Sequence, residues 1–172
     1  MSVDVGSTAP DFTLTNQDRQ PVTLSQQRGK PVVLAFFPAA FSSVCQKELC
    51  TFRDSIAKLS AADAQVYGIS VDTFFTLKAF HDQQNLSFPL LSDFNKQVIR
   101  DYAVFNEDMI GLKGIAKRAV FVLDKDGVVR HREVLEDARN EPSYDRVFET
   151  LRSLLAERAE GKGAGRPAQP AS

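Results

Sequence analysis

Cys45 and Cys50 are the only cysteines in the 172-residue chain, and they stand in the stretch Pro38-Ala39-Ala40-Phe41-Ser42-Ser43-Val44-Cys45-Gln46-Lys47-Glu48-Leu49-Cys50. A proline, a hydroxyl and then a cysteine at the mouth of a helix favour a reactive thiolate. The free N–H groups and the positive dipole end of a helix lie in its first turn, and both lower a thiol pKa. Ser43, with Gln46 three residues later, has the form of a capping box, which places the helix start near Ser43 and Cys45 in its first turn. Cys45 shares a helical face with Leu49 and Phe52 and so points toward the core. Ser42 can offer a hydroxyl beside the sulfur, and Pro38 can shield the pocket and removes a competing N–H. Such a set suits a thiolate attacking an electrophile whose leaving oxygen needs hydrogen-bond donors. Taken alone, a buried inert cysteine is the more ordinary reading.

Five residues in an intact helix give about 7.5 Å of rise and about 140° of rotation. Cys45 and Cys50 are then farther apart than the ~6.8 Å between Cα atoms that a disulfide tolerates, and their side chains diverge. A bond between them requires the first turns of the helix to unwind.

The elements that must position these residues follow from apolar periodicity. Phe12 and Leu14, a polar Gln17–Gln20 turn, then Val22 and Leu24 read as a hairpin. Val32–Phe37 is a continuous apolar run, as in a strand buried on both faces, and Pro38 ends it. Leu49, Phe52, Ile56 and Leu59 mark the buried face of the following helix. Val66–Val71 reads as a strand, with Asp72 or Thr73 capping a helix that carries Phe74, Leu77 and Phe80. A short extended piece near Phe88–Leu91 and a short helix from Asn95 to about Asp101 follow. Ala119–Leu123 and Val128–Val134 form a hairpin around Asp124-Lys125-Asp126-Gly127, and a last helix carries Tyr144, Val147, Phe148, Leu151 and Leu155. The pattern implies one α/β domain over 1–160, a mixed central sheet flanked by helices on both faces with an N-terminal β-hairpin. Residues 161–172, rich in Gly, Ala and Pro, are expected to be disordered.

A net charge of -1 gives no basic footprint for nucleic acid or an anionic membrane, and the 43% hydrophobic content holds no stretch long enough to span a bilayer. The first residues lack a signal-peptide pattern, so the chain is expected in the cytoplasm, where two closely spaced cysteines suggest redox or metal chemistry. His81 and His131 have no ligand-like spacing with the cysteines, and Asp124–Gly127 lacks the rest of a calcium loop. The apolar run Ala103–Ile110 suits a dimer surface or a covered loop equally.

At the cysteine site the chain resembles the peroxiredoxin family. Pro38, Ser42 and Cys45 match its Pro-x3-Thr/Ser-x2-Cys pattern, with serine where threonine is commoner; Glu48 matches a family glutamate. Ala9-Pro10-Asp11-Phe12, the Val32–Phe37 strand and Arg118 opening the Ala119–Leu123 strand fall where the family places them. Over residues 5 to 155 it is most similar to the Q-type (bacterioferritin-comigratory) and alkyl hydroperoxide reductase E-like groups. The resemblance implies a thioredoxin-like fold and a peroxidase acting on hydrogen peroxide and organic hydroperoxides, with no metal, haem or flavin, as a monomer or homodimer. Cys45 would be the nucleophile that becomes a sulfenic acid. Arg118 would stabilise the thiolate and polarise the peroxide, Ser42 and the Cys45 N–H would bind peroxide oxygens, and Glu48 would orient arginines. Cys50, at a spacing found in Q-type members, would resolve the sulfenic acid as an intrasubunit disulfide recycled by thioredoxin or a similar thiol reductant. The alternative is Cys50 as a bystander, with an external thiol in its place. A thioredoxin-like disulfide reductase would carry Cys-x-x-Cys, which this chain lacks. A peroxide sensor or holdase using Cys45 oxidation as a switch remains open at this level.

Overall fold

The computed structural model describes residues 3–56 and 64–164. Nine strands and four α-helices are found among them: β1 (Thr13–Asn16), β2 (Pro21–Thr23), β3 (Val32–Phe36), α1 (Ser43–Ile56), β4 (Gln65–Ser70), α2 (Phe74–Gln84), β5 (Leu90–Ser92), α3 (Gln97–Asp101), β6 (Phe105–Asn106), β7 (Ile115–Ala116), β8 (Arg118–Leu123), β9 (Val129–Leu135) and α4 (Tyr144–Ala164). The main sheet has the order β2-β1-β5-β4-β3-β8-β9. Its centre, β5-β4-β3, is parallel, and β1, β2, β8 and β9 add antiparallel edges. This is the mixed sheet with an N-terminal hairpin that the periodicity implies.

Every residue of β3 is buried, and strand alternation divides them between two cores. Val33, Ala35 and Phe37 face a cluster containing Cys45, Leu49 and Phe52 of α1, Leu77 and Phe80 of α2, and Val147, Leu151 and Leu154 of α4. Val32, Leu34 and Phe36 face the opposite cluster, with Val98 and Ile99 of α3 and the N-terminal Phe12 and Leu24. Leu49 and Phe52 are fully buried, and each contributes about 1.5–3 kcal/mol by leaving water. Gly68 of β4 leaves room for its neighbours in this core, because a Cβ there would lie 2.7 Å from a Leu90 methyl and 3.3 Å from the Phe37 ring.

Leu154 rather than Leu155 is the buried position of α4, since the inward face runs Val147, Leu151, Leu154 and leaves Leu155 half-buried. Phe74 is half-buried, and α2 buries Leu77 and Phe80. Thr73 caps α2, its hydroxyl accepting from the Thr76 N–H at 3.3 Å, and Asp72 has another role. Leu59 lies outside the described residues. The α4 helix reaches Ala164, into the segment expected to lack structure, and the rest of that tail, 165–172, also lies outside them. Asp124–Gly127 is the β8–β9 turn, closed by the Asp124 carboxylate on the Asp126 and Val128 N–H groups. The run Ala103–Ile110 is split between a buried Val104 and an Ile110 that is 90% exposed. No helix among the described residues is long and apolar enough to cross a membrane.

Candidate active site

The site forms where β3 hands over to α1. Phe37 continues β3, its N–H donating to the Ile69 carbonyl, and Pro38 then releases the chain from the sheet. The loop that follows is fixed from the neighbouring strand. The Asp72 carboxylate, just past β4, accepts the Ala40 N–H at 2.8 Å and the Ser70 hydroxyl at 2.7 Å, while the Ser92 hydroxyl donates to the Asp72 carbonyl at 2.6 Å. Phe41 takes a left-handed φ of 69° and packs edge-on against Phe80, with 5.1 Å between ring centroids.

Ser42, not Ser43, is the boundary residue of α1. Its carbonyl accepts the Gln46 N–H at 2.9 Å, which makes Ser43 the first helical residue and Cys45 the third. The Ser42 hydroxyl donates to the Ala39 carbonyl at 3.0 Å, bracing the turn. Cys45 remains in the first turn, among backbone N–H groups without intrahelical acceptors.

Arg118 arrives from the other side. It stands two residues before Val120 and four before Val122, so strand alternation sends it to the α1 face of the sheet. Although charged, it is only 1% exposed. Its Nη2 donates to Cys45 Sγ at 3.2 Å, its Nη1 is ion-paired with the Glu48 carboxylate, and its Nε and Nη2 both reach the Ala138 carbonyl, at 3.2 and 3.0 Å. The guanidinium thus joins sulfur, carboxylate and carbonyl in one plane-directed fork. Burial lowers the guanidinium pKa, but Glu48 and Cys45 outweigh that and raise it, so the charge is held.

Glu48, although charged by type, is fully buried. Burial pushes its carboxyl up to about 7, against the pull of Arg118. Oε1 has no hydrogen-bond partner among the described residues, which is the costly half of this group's position. Around it, Tyr144 donates to Glu141 at 2.7 Å and Lys47 pairs with Glu141 at 2.9 Å.

Above these groups lies an open depression of about 670 Å³, lined by Pro38, Ser42, Val44, Met109, Arg118 and Ala138 among others. Cys45 is buried, and Arg118, which bonds its sulfur, lines the depression. The structure therefore brings Pro38, Ser42, Cys45, Glu48 and Arg118 together. Cys50 is apart: α1 is unbroken through both cysteines, both are free thiols, and they are not at disulfide distance. Half-buried on the α2 side, Cys50 donates from Sγ to Gln84 Oε1 at 3.4 Å.

Sequence reasoning missed Asp72, Gln84 and the Ala138 carbonyl. The only signal for Asp72 was its place in a strand-to-helix turn, where it reads as a cap. Gln84 and Ala138 carry no local signal, since their contacts depend on tertiary packing.

A family model described as the AhpC/TSA family matches residues 5–132. The chain is 44% identical over 135 residues to alkyl hydroperoxide reductase E of Mycobacterium tuberculosis, covering 77% of this chain and 86% of that protein. It is 44% identical over 128 residues to the chloroplastic peroxiredoxin Q of Sedum lineare, covering 74% of this chain and 67% of that one. Among solved structures, peroxidoxin BcpB from Mycobacterium tuberculosis matches with a TM-score of 0.79 at 33% identity, over 88% of this chain and 98% of that one. The peroxiredoxin-like protein from Aquifex aeolicus matches with a TM-score of 0.82 at 27% identity, over 90% and 89%. A thiol in the first turn of a helix, bonded by a buried arginine within a thioredoxin-like sheet, accords with these relatives: the chain belongs to the AhpC/TSA family of peroxiredoxin-type peroxidases.

Proposed function

We propose that the chain reduces hydrogen peroxide and organic hydroperoxides at Cys45, that Cys50 resolves the product, and that thioredoxin or a similar dithiol recycles the enzyme. The observation that carries the reading is the Arg118 Nη2 donor 3.2 Å from Cys45 Sγ, because a fixed guanidinium there can stabilise the charge that moves from sulfur to the departing oxygen during attack on a peroxide.

The thiolate attacks one peroxide oxygen; an S–O bond forms, the O–O bond breaks, and the departing alkoxide or hydroxide takes up a proton. Cys45 is then a sulfenic acid. Arg118, already oriented by Glu48 and Ala138, stabilises charge on the leaving oxygen as well as on sulfur. The free N–H groups of the first turn of α1 supply further donors at the rim; the Ser42 hydroxyl, whose proton goes to the Ala39 carbonyl, offers its oxygen as an acceptor for the peroxide O–H, and Pro38 excludes water from one side. In the second step the Cys50 sulfur attacks Cys45 Sγ, an S–S bond forms, the S–O bond breaks, and water leaves after taking up a proton. The reductant then returns both thiols. We place this chemistry in the cytoplasm, in a monomer or homodimer.

The unbroken α1 and the engagement of Cys50 by Gln84 favour one second reading, in which an external thiol resolves Cys45. The test of the main proposal is peroxide consumption coupled to NADPH oxidation through thioredoxin and thioredoxin reductase. Sustained turnover in wild type and none in Cys45→Ser is expected. Stoichiometric loss of peroxide without turnover, with thioredoxin and with low-molecular-weight thiols alike, would place the protein among peroxide sensors.

A further inference from the structure

Gln84 is the last residue of α2, followed by Asn85 in the left-handed conformation, φ 50° and ψ 48°. It touches α1 at two points. Its side-chain Oε1 accepts the Cys50 thiol at 3.4 Å. Its main-chain carbonyl, left without an intrahelical donor at the helix end, accepts from Arg53 Nη1. Arg53 lies one turn beyond Cys50, so a single residue of α2 clamps two successive turns of α1. A cation at the negative end of α2 adds to this contact.

The two halves of α1 are held very differently. From Leu49 onward the helix is fixed by fully buried Leu49 and Phe52, by Phe52 against Tyr144 with 5.3 Å between ring centroids, and by the Gln84 clamp. Before Leu49, the residues Ser42, Ser43, Gln46 and Lys47 are exposed and Val44 is half-buried. Cys45 and Glu48 are buried there, but both are tied to Arg118 through polar bonds. Oxidation of Cys45 adds an oxygen to the sulfur that accepts from Arg118, so that bond must rearrange and the first turns lose part of their anchoring at the moment resolution must begin.

We infer that Gln84 is a positioning residue for the resolving step: it keeps Cys50 stationary on the end of α2, so that unwinding stops short of Cys50 and Cys45 is the cysteine that travels. This inference rests on the proposed role of Cys50. Closing the S–S bond to about 2 Å then requires residues 43–48 to uncoil while the helix from Leu49 onward stays docked. The thiol that attacks is presented at a fixed place, and the chain that must be disordered is the half with least buried apolar surface.

The test is quenched-flow intact-mass analysis of wild type, Gln84→Ala and the near-isosteric Gln84→Met after one equivalent of hydrogen peroxide. Gain of one oxygen reports the first step and loss of two hydrogens reports the disulfide. Loss of one neutral hydrogen bond sets the expected scale: the disulfide forms about fivefold more slowly in both variants, with the first step unchanged and more sulfinic acid under excess peroxide. Hydrogen exchange on the wild-type disulfide form is expected to show lost protection of amides 46–52, whose helical acceptors lie at 42–48, and retained protection at 53–56. Resolution at the wild-type rate in Gln84→Met, an equal slowing of both steps, or lost protection through 53–56 would overturn the inference while leaving the role of Cys50 standing. A wild type that forms no disulfide removes that role, and the inference with it.

Discussion

Glu48→Gln isolates what burial does to the carboxylate behind the active-site arginine. In the folded protein Glu48 is fully buried, with one oxygen on Arg118 and the other without a partner among the described residues. Burial raises its pKa from 4.5 to about 7, in spite of Arg118. The folded protein therefore holds this proton over a range in which the unfolded chain has lost it. The resulting stabilisation is fully present below 4.5 and is lost as pH rises through about 7. That span corresponds to about 3 kcal/mol. The glutamine variant has the same shape and no proton to lose, so the difference between the two proteins isolates this group from Asp93 and His131, whose own burial also shifts them. Urea denaturation of both reduced proteins from about pH 4.5 to pH 8 is expected to show glutamine gaining about 3 kcal/mol on wild type as pH rises. A pH-independent difference, or one of opposite slope, would refute the reasoning and show that Arg118 holds Glu48 ionised throughout.

Two further substitutions address the scaffold of the site. Arg118→Met removes the donor 3.2 Å from Cys45 Sγ. A hydrogen bond to a charged group contributes about 1.5–3 kcal/mol, so the second-order rate of Cys45 oxidation, measured by competition with a reference peroxidase, should fall about 10- to 150-fold. An unchanged rate would remove Arg118 from the chemistry. Asp72→Ala leaves the Ala40 N–H and the Ser70 hydroxyl without their shared acceptor; a loss of about 1–3 kcal/mol in urea stability is expected, together with faster exchange of the Ala40 amide. Wild-type exchange at Ala40 would show that the loop is held by other means.

The parts of the molecule that were legible in the sequence are those written as short-range patterns. The Val32–Phe37 run gave a doubly buried strand because two faces of a parallel sheet leave no solvent side for polar residues. Cys45, Leu49 and Phe52 read as one inward face because spacings of four and three close on a helix. Glu48 was harder. It borders that face, yet a glutamate between Lys47 and Leu49 reads as solvated until Arg118 is brought across the sheet to meet it. Arg118 itself was found through resemblance, since an arginine at a strand start is ordinarily an exposed charge. Asp72 and Gln84 were out of reach: their partners, Ala40 and Cys50, are 32 and 34 residues away in sequence, and only the packing of β4 and α2 beside α1 creates the contacts. The slip from Leu154 to Leu155 has a simpler cause, because adjacent leucines both fit a helical repeat and the depth of burial depends on how α4 rolls against β8.

The central claim is that Cys45 is the nucleophile and Cys50, held apart from it in the intact helix, becomes its partner once α1 opens. The most direct measurement is intact mass after one equivalent of hydrogen peroxide, on wild type, Cys45→Ser and Cys50→Ser, without added reductant. The account predicts loss of two hydrogens in wild type, gain of one or more oxygens on Cys45 in Cys50→Ser, and no change in Cys45→Ser. Oxygen retained on wild type as on Cys50→Ser, with no loss of two hydrogens, would contradict the resolving role, and oxidation of Cys45→Ser at the wild-type rate would contradict the nucleophile itself.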